Sequence, residues 1–294
     1  MPTADGEPIN FDRLWNYQKP DETEQRFREI LPGAPPGTPY HVELLTQIAR
    51  TQSLQRKFDE AHAILDETAG LLTPEMRRPR MRYLLERGRT FNSSNQKEKA
   101  IPLFTEAWEI GREISEDNLA IDAAHMVAIA GTPEEAMEWN IRALDLAETT
   151  GDTVARNWCG SLYNNIGWTY HGSGQFAEAL DIFTRALEWR EAHGSPGPIR
   201  IAKWCVARTL RSLGRIDEAL AIQRELLKDV EATGEPDGFI FEELGECLLL
   251  LGHADEARPH FARAHEMLSK DAWVASDEPA RIERLKTLSG SGRV

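Results

Sequence analysis

The chain has 294 residues, 41% hydrophobic and 28% charged, with a formal net charge of −14. That balance supports a sizeable core and is too polar for a membrane protein. It also disfavours general nucleic-acid binding, because attraction to phosphates normally supplies most of that affinity.

The opening "MPTADGEPINFDRLW" lacks the basic-then-apolar layout of a secretion signal, so the cytoplasm is the expected location. The longest apolar run, "CLLLLG" at Cys247–Gly252, is far shorter than a membrane span and reads as a turn of core helix. "FDRLWNYQKPDETEQRFREILP" predicts a short aromatic helix and then a second one. Asp21 and Glu24 are placed for a capping box, and Phe27, Ile30 and Leu31 supply an apolar stripe. Pro32 to Pro39 is too rich in proline and glycine for helix, so residues 1–39 are expected to form an N-terminal cap and linker.

From residue 40 one pattern recurs. Leu45, Ile48, Ala49, Ala61 and Leu65 form a first copy. Leu84, Gly88, Phe91, Ala100, Phe104 and Ala107 form a second. The third, "AIDAAHMVAIAGTPEEAMEWNIRALDLAETTGD", has a shortened turn, and its second helix opens on a Thr cap and a Pro. The fourth is the clearest: Tyr163, Ile166, Gly167 and Tyr170, then Gly174, Ala179, Phe183 and Ala186. Val206, Ala207, Leu210, Gly214, Ala219 and Leu226 make a fifth, with Gln223 in the usual aromatic place. Phe241, Leu244, Gly245, Leu248, Gly252, Ala257, Phe261 and Ala264 make a sixth. Small residues such as Gly167 and Ala179 let two antiparallel helices approach closely, and large ones such as Phe183 fill the space around the contact. The second-helix alanines fall at 61, 100, 136, 179, 219 and 257, a period near forty. Breaker-rich links, "TPEMRRP", "ISEDN", "HGSPGP" and "TGEPDG", separate the copies. "SDEPARIERLKTLSG" predicts a short amphipathic helix that closes the last copy.

The spacing of Tyr163, Ile166, Gly167, Tyr170, Ala179 and Phe183 resembles the tetratricopeptide repeat, with Tyr in place of its Trp; the period exceeds the family's standard 34. "LYNNIGWTY" is especially similar to the long repeats of kinesin light chains and of bacterial peptide-sensing regulators. The N-terminal "LWNY" and "TEQRFR" resemble a segment of bacterial tetratricopeptide proteins. The resemblance implies an all-α, right-handed superhelical solenoid of about six helical hairpins over residues 40–272, closed by a capping helix and tail over 273–294. In those families asparagines at matching positions hold the backbone of an extended peptide. That implies such a role for Asn164 and for Asn165, whose structural alternative is to tie one repeat to the next.

With the second-helix alanine counted as position 20, positions 5 and 9 of each first helix share one face, expected to line a concave groove. Position 5 holds Thr46, Leu85, Asn164, Trp204 and Glu242. Position 9 holds Arg50, Arg89, Trp168, Arg208 and Glu246, with His125 in the shortened copy. Arg82, Asn92, His171 and Arg211 neighbour them. Arg, Trp, Asn and Glu make directional contacts, so this column is the candidate binding surface. Arg50, Arg82, Arg89, Arg208 and Arg211 against Glu242, Glu243 and Glu246 predict a groove that is basic over most of its length and acidic at its C-terminal end. Trp168 and Trp204 are either an aromatic floor or inter-repeat packing. Trp108, Trp139 and Trp189, on second helices, read as packing.

Catalysis finds little support. Cys159, Cys205 and Cys247 are isolated, read as core thiols, and form no zinc pattern. No HExxH motif exists, "HGSGQ" lacks the strand and Lys of a phosphate loop, and "LSGSGR" follows no strand. The expectation is a non-catalytic scaffold or adaptor without cofactor or metal. It would hold an extended protein or peptide segment, with no nucleic-acid or membrane partner; the oligomeric state stays open. Two alternatives remain: a ligand-sensing module acting on a separate effector chain, since no DNA-binding domain precedes the repeats, and a small-molecule enzyme with a His/Arg/Glu pocket.

Overall fold

The computed structural model describes residues 11–290. The first ten residues and the end of the "LSGSGR" tail lie outside that range. Among the described residues the chain is all helix and turn, and no helix is long and apolar enough to cross a membrane. It divides into two compact units that meet between Leu162 and Tyr163.

The first unit opens with a 3-10 turn at Phe11–Leu14 and helix α1 (Pro20–Ile30). The predicted Asp21/Glu24 capping box is absent. Pro20 takes the first helical position after Lys19, which makes no side-chain cap, and Glu24 bonds Arg28 and Gln55 instead. Proline at that position needs no amide partner, so its place outweighs the side-chain motif. Phe11, Phe27, Ala34, Leu44 and Ile48 pack the cap onto the first hairpin, α2 (Pro39–Leu54) and α3 (Phe58–Leu71). Next come α4 (Arg77–Ser93) with α5 (Lys97–Ile114), and α6 (Asp117–Ala130) with α7 (Pro133–Thr149). The shortened turn before α7 carries the predicted Thr132 cap. Glu135 completes a capping box, which suits a turn one residue tighter than its neighbours. Helix α8 (Thr153–Arg156) follows.

The division falls inside α9 (Cys159–Gly172). The second unit continues with α10 (Phe176–His193), α11 (Pro196–Ser212), α12 (Ile216–Thr233), α13 (Gly238–Leu250), α14 (Ala254–Leu268), α15 (Ala272–Asp277) and the predicted C-terminal helix, α16 (Pro279–Leu288). Leu285 of α16 is fully buried in the same core as Phe261 and Leu268, so the helix caps the last hairpin.

Within hairpins, the contact is a match of small against large. A Cβ built on Gly88, Gly167 or Gly245 would stand 2.5 to 2.7 Å from the ring of Phe104, Phe183 or Phe261. Each ring therefore lies flat on the bare backbone of the first helix. Where the first helix carries alanine at that register, as at Ala49 and Ala207, the second helix carries a slimmer Leu65 or Gln223. Gln223 is fully buried, and neither Oε1 nor Nε2 has a hydrogen-bond partner among the described residues. An unpaired buried amide costs about 1–3 kcal/mol. Leucine, which already fills this place in the first hairpin, should relieve it. Gln223→Leu is expected to raise stability by roughly 1–2 kcal/mol, read as a shift of the urea midpoint at unchanged slope; a fall would mean that the amide is satisfied.

Candidate functional site

The first helices place the candidate residues in two groups, one per unit. In the first unit Arg50 bonds Glu86 at 3.0 Å, and its guanidinium lies 5.6 and 5.5 Å from the ring centres of Trp15 and Tyr17. Arg89 pairs with Glu86 at 2.6 Å and with Asp122. His125 rests against Trp158, rings 5.4 Å apart, while the Trp158 indole donates to Asn118 at 2.9 Å. Trp158 thus belongs to the packing of its own unit. Thr46 and Leu85, predicted to face the groove, are fully buried and offer nothing to a ligand.

In the second unit Trp168 and Trp204 are half-buried, their ring centres 5.9 Å apart. Trp168 also lies edge-on to Phe183 and His171, and the Trp204 indole donates to the Phe239 carbonyl at 3.3 Å. Both rings therefore pack against their neighbours while also lining the charged cleft. His171 meets Ser212 at 3.0 Å. The Asn164 carboxamide oxygen accepts weakly from the Cys205 thiol at 3.7 Å. The Asn165 side chain, half-buried, has no hydrogen-bond partner among the described residues. Arg208 pairs with Glu243 at 3.1 Å, and Arg211 grips the same carboxylate with two nitrogens at 2.7 and 2.9 Å. Glu242 takes Arg281, and Glu246 takes Arg284, both from α16. Trp168, Trp204 and the Arg–Glu pairs line a cleft of about 500 Å³, to which Asn164, Asn165 and His171 do not contribute.

One rule relates these contacts. Position 9 of a first helix bonds position 6 of the first helix one repeat later in three places: Arg50 to Glu86, Arg89 to Asp122, and Arg208 to Glu243. The position 6 residues Glu86, Asp122 and Glu243, and the arginines of α16, are the members that sequence reasoning missed as partners. The signal was available in the spacing: each pair is separated by about one repeat.

The tetratricopeptide repeat family matches residues 160–193, the hairpin of α9 and α10. No curated protein matches the chain. Among solved structures, the apo form of RapI superposes with a TM-score of 0.73 at 14% identity, covering 96% of this chain and 80% of RapI. A signal-transduction ATPase with a tetratricopeptide repeat sensor, from Pyrococcus horikoshii, gives 0.72 at 14% identity, covering 92% of this chain and 42% of that one. BtubC from P. vanneervenii gives 0.60 at 16% identity, with 78% and 94% covered. Residues 160–193 match a tetratricopeptide repeat, and the chain has a tetratricopeptide-like helical-repeat fold.

In this tetratricopeptide frame the expected division of charge does not hold. Glu242 and Glu246 do not form a free acidic end, because Arg281 and Arg284 of the capping helix neutralise them. Arg50, Arg89 and Arg208 do not form a free basic wall, because Glu86, Asp122 and Glu243 already hold them. The reason is the packing of first helix on first helix. A charge at this seam is partly desolvated, and ionic groups so placed persist when paired. The Glu243 side chain is only 4% exposed and lies beneath two arginines. Replacing Arg208 by Glu would set two carboxylates against each other there. Arg208→Glu is expected to cost roughly 2–4 kcal/mol in urea unfolding, and Arg208→Met clearly less; equal midpoints for the two variants would show that the rung carries no such strain.

The site offers little acid–base or nucleophilic chemistry. Burial pushes the Cys205 and Cys247 thiols up to about 12, so both stay protonated at neutral pH. Burial likewise holds His125, His171 and His62 below the usual imidazole range, with nearby arginines acting in the same direction. Among the described residues no group of three His, Cys, Asp or Glu stands together as a metal site. These imidazoles carry a pH consequence. The unfolded chain takes up protons near pH 6.5, whereas the folded chain takes them up only at lower pH. Stability should therefore be complete above about pH 6.5 and fall as pH drops below it. Thermal melts between pH 7.5 and 5 check this, with His125→Gln flattening the slope; a melt that rises on acidification would contradict the assignment.

Proposed function

We propose that this protein is a non-catalytic scaffold that holds a peptide or protein segment against the first-helix face of its second unit. Asn164, Asn165, Trp168 and Trp204 make the contact, and Arg50, Arg89, His125, His171, Arg208, Glu242 and Glu246 act chiefly within the protein. The observation that carries this reading is the contrast along the face. Its charged groups are consumed by one another, while the Asn165 carboxamide bonds nothing and the Trp168 and Trp204 rings, though packed at their edges, remain half-buried.

A carboxamide donates and accepts together, as a peptide backbone does. An indole presents a large apolar face at small entropic cost, as interface hot spots do. A wall of preformed hairpins loses little order when a segment lies down on it. The pairing of side chain with extended backbone, the absence of a nucleic-acid partner and the non-catalytic role belong to this proposal.

Asn165→Ala removes a side chain that bonds nothing else, so it tests the site without disturbing the fold. With an unchanged melting temperature, it should weaken retention of captured partners roughly fivefold, the worth of one hydrogen bond of about 1 kcal/mol. Identical retention by wild type and variant would remove Asn165 from the site.

A further inference from the structure

Beside the charged cleft, and sharing Trp204 with it, lies a second hollow of about 490 Å³ between the N-terminal ends of α11 and α13. Gly197, Ile201, Trp204, Phe239 and Ile240 line it, with Arg200 and Asp237 at its edge. Ile201 is 60% exposed, the most exposed of the large apolar side chains among the described residues. Both edge charges are engaged: Arg200 bonds Glu235 at 2.7 Å, and Asp237 caps α13 by accepting from the Phe239 amide at 2.8 Å. Its volume falls within the range typical of pockets that receive small ligands and side chains.

We infer that this hollow is the anchor pocket of the peptide site, and that the segment it receives is recognised by one large aliphatic or aromatic side chain rather than by charge. The inference rests on the proposed function and names its partner class. Magnitudes decide between the two modes. A ligand carboxylate laid on the cleft meets four guanidiniums already balanced by four glutamates, Arg208 and Arg211 sharing Glu243, so it gains at most the roughly fivefold of an exposed pair. Burying one leucine- or phenylalanine-sized side chain gains roughly ten- to hundredfold in affinity. Trp204 forms a wall of both spaces and lies 5.9 Å from Trp168, so a segment whose backbone runs past Asn164 and Asn165 reaches the hollow across a continuous indole ledge. Gly197 leaves the mouth of the hollow open, since a Cβ there would meet nothing within 4 Å.

The test is selection of a random twelve-residue peptide library on the full-length protein, followed by titration of the enriched peptides. Enriched peptides are expected to share one large apolar residue and no bias in net charge. Their Kd should change less than threefold between 50 and 500 mM NaCl, and Ile201→Asp, at an exposed position that leaves the fold intact, should weaken binding at least tenfold. Enriched peptides that are acidic, lose affinity with salt and ignore Ile201→Asp would overturn this inference while leaving a peptide scaffold in place. Failure to enrich any peptide would overturn both. If substitution at the anchor residue of a selected peptide by alanine leaves affinity unchanged, the hollow is not the anchor pocket.

Discussion

The pairing of an arginine on one first helix with a carboxylate on the next organises both units. A hairpin in a solenoid touches only its neighbours, so any polar group at the seam must find its partner there. A carboxylate as enclosed as Glu86 or Glu243 persists only because arginines from the adjoining repeat lie on it. The same logic seats the capping helix. Arg281 and Arg284 stand to Glu242 and Glu246 as one repeat stands to the next, and Leu285 adds the buried apolar contact. A terminal hairpin with exposed glutamates would present an unfinished seam; α16 finishes it as a half repeat.

This arrangement changes what the face can recognise. Groups that look like a charged binding surface when taken one at a time are mostly internal ties. What remains outward is amide and indole, with an apolar hollow beside them. On the proposed reading, such a surface would discriminate by shape and by backbone hydrogen bonding. Its response to ionic strength reports on the seam at least as much as on a ligand.

Inside each hairpin the governing constraint is volume. Phe104, Phe183 and Phe261 each require glycine opposite, whereas the registers with Ala49, Ala124 and Ala207 carry Leu65, Asn140 and Gln223. In the third hairpin that place, Asn140, is buried with its Oδ1 unpaired, and nearby on the same helix Trp139 packs edge-on to Trp108 of α5 at 5.8 Å. That hairpin also has the tightest turn and the capping box.

The helical hairpins were legible in the sequence because they rest on local rules. Apolar residues repeat at helical spacing, glycine faces phenylalanine at a constant offset, and Pro, Gly, Ser and Asp mark the turns. The Thr132 cap and α16 could be read in the same way. The Asp21/Glu24 box failed because a proline at the helix start overrode a side-chain motif. The site was less legible. Positions 5 and 9 do identify one face of a first helix, but periodicity along one helix cannot say what the neighbouring helix sets against it. Whether Arg208 is free or bound, whether Glu242 ends a groove or meets α16, and whether Trp204 walls a hollow depend on residues 30 to 40 positions away, and only packing in three dimensions brings those together.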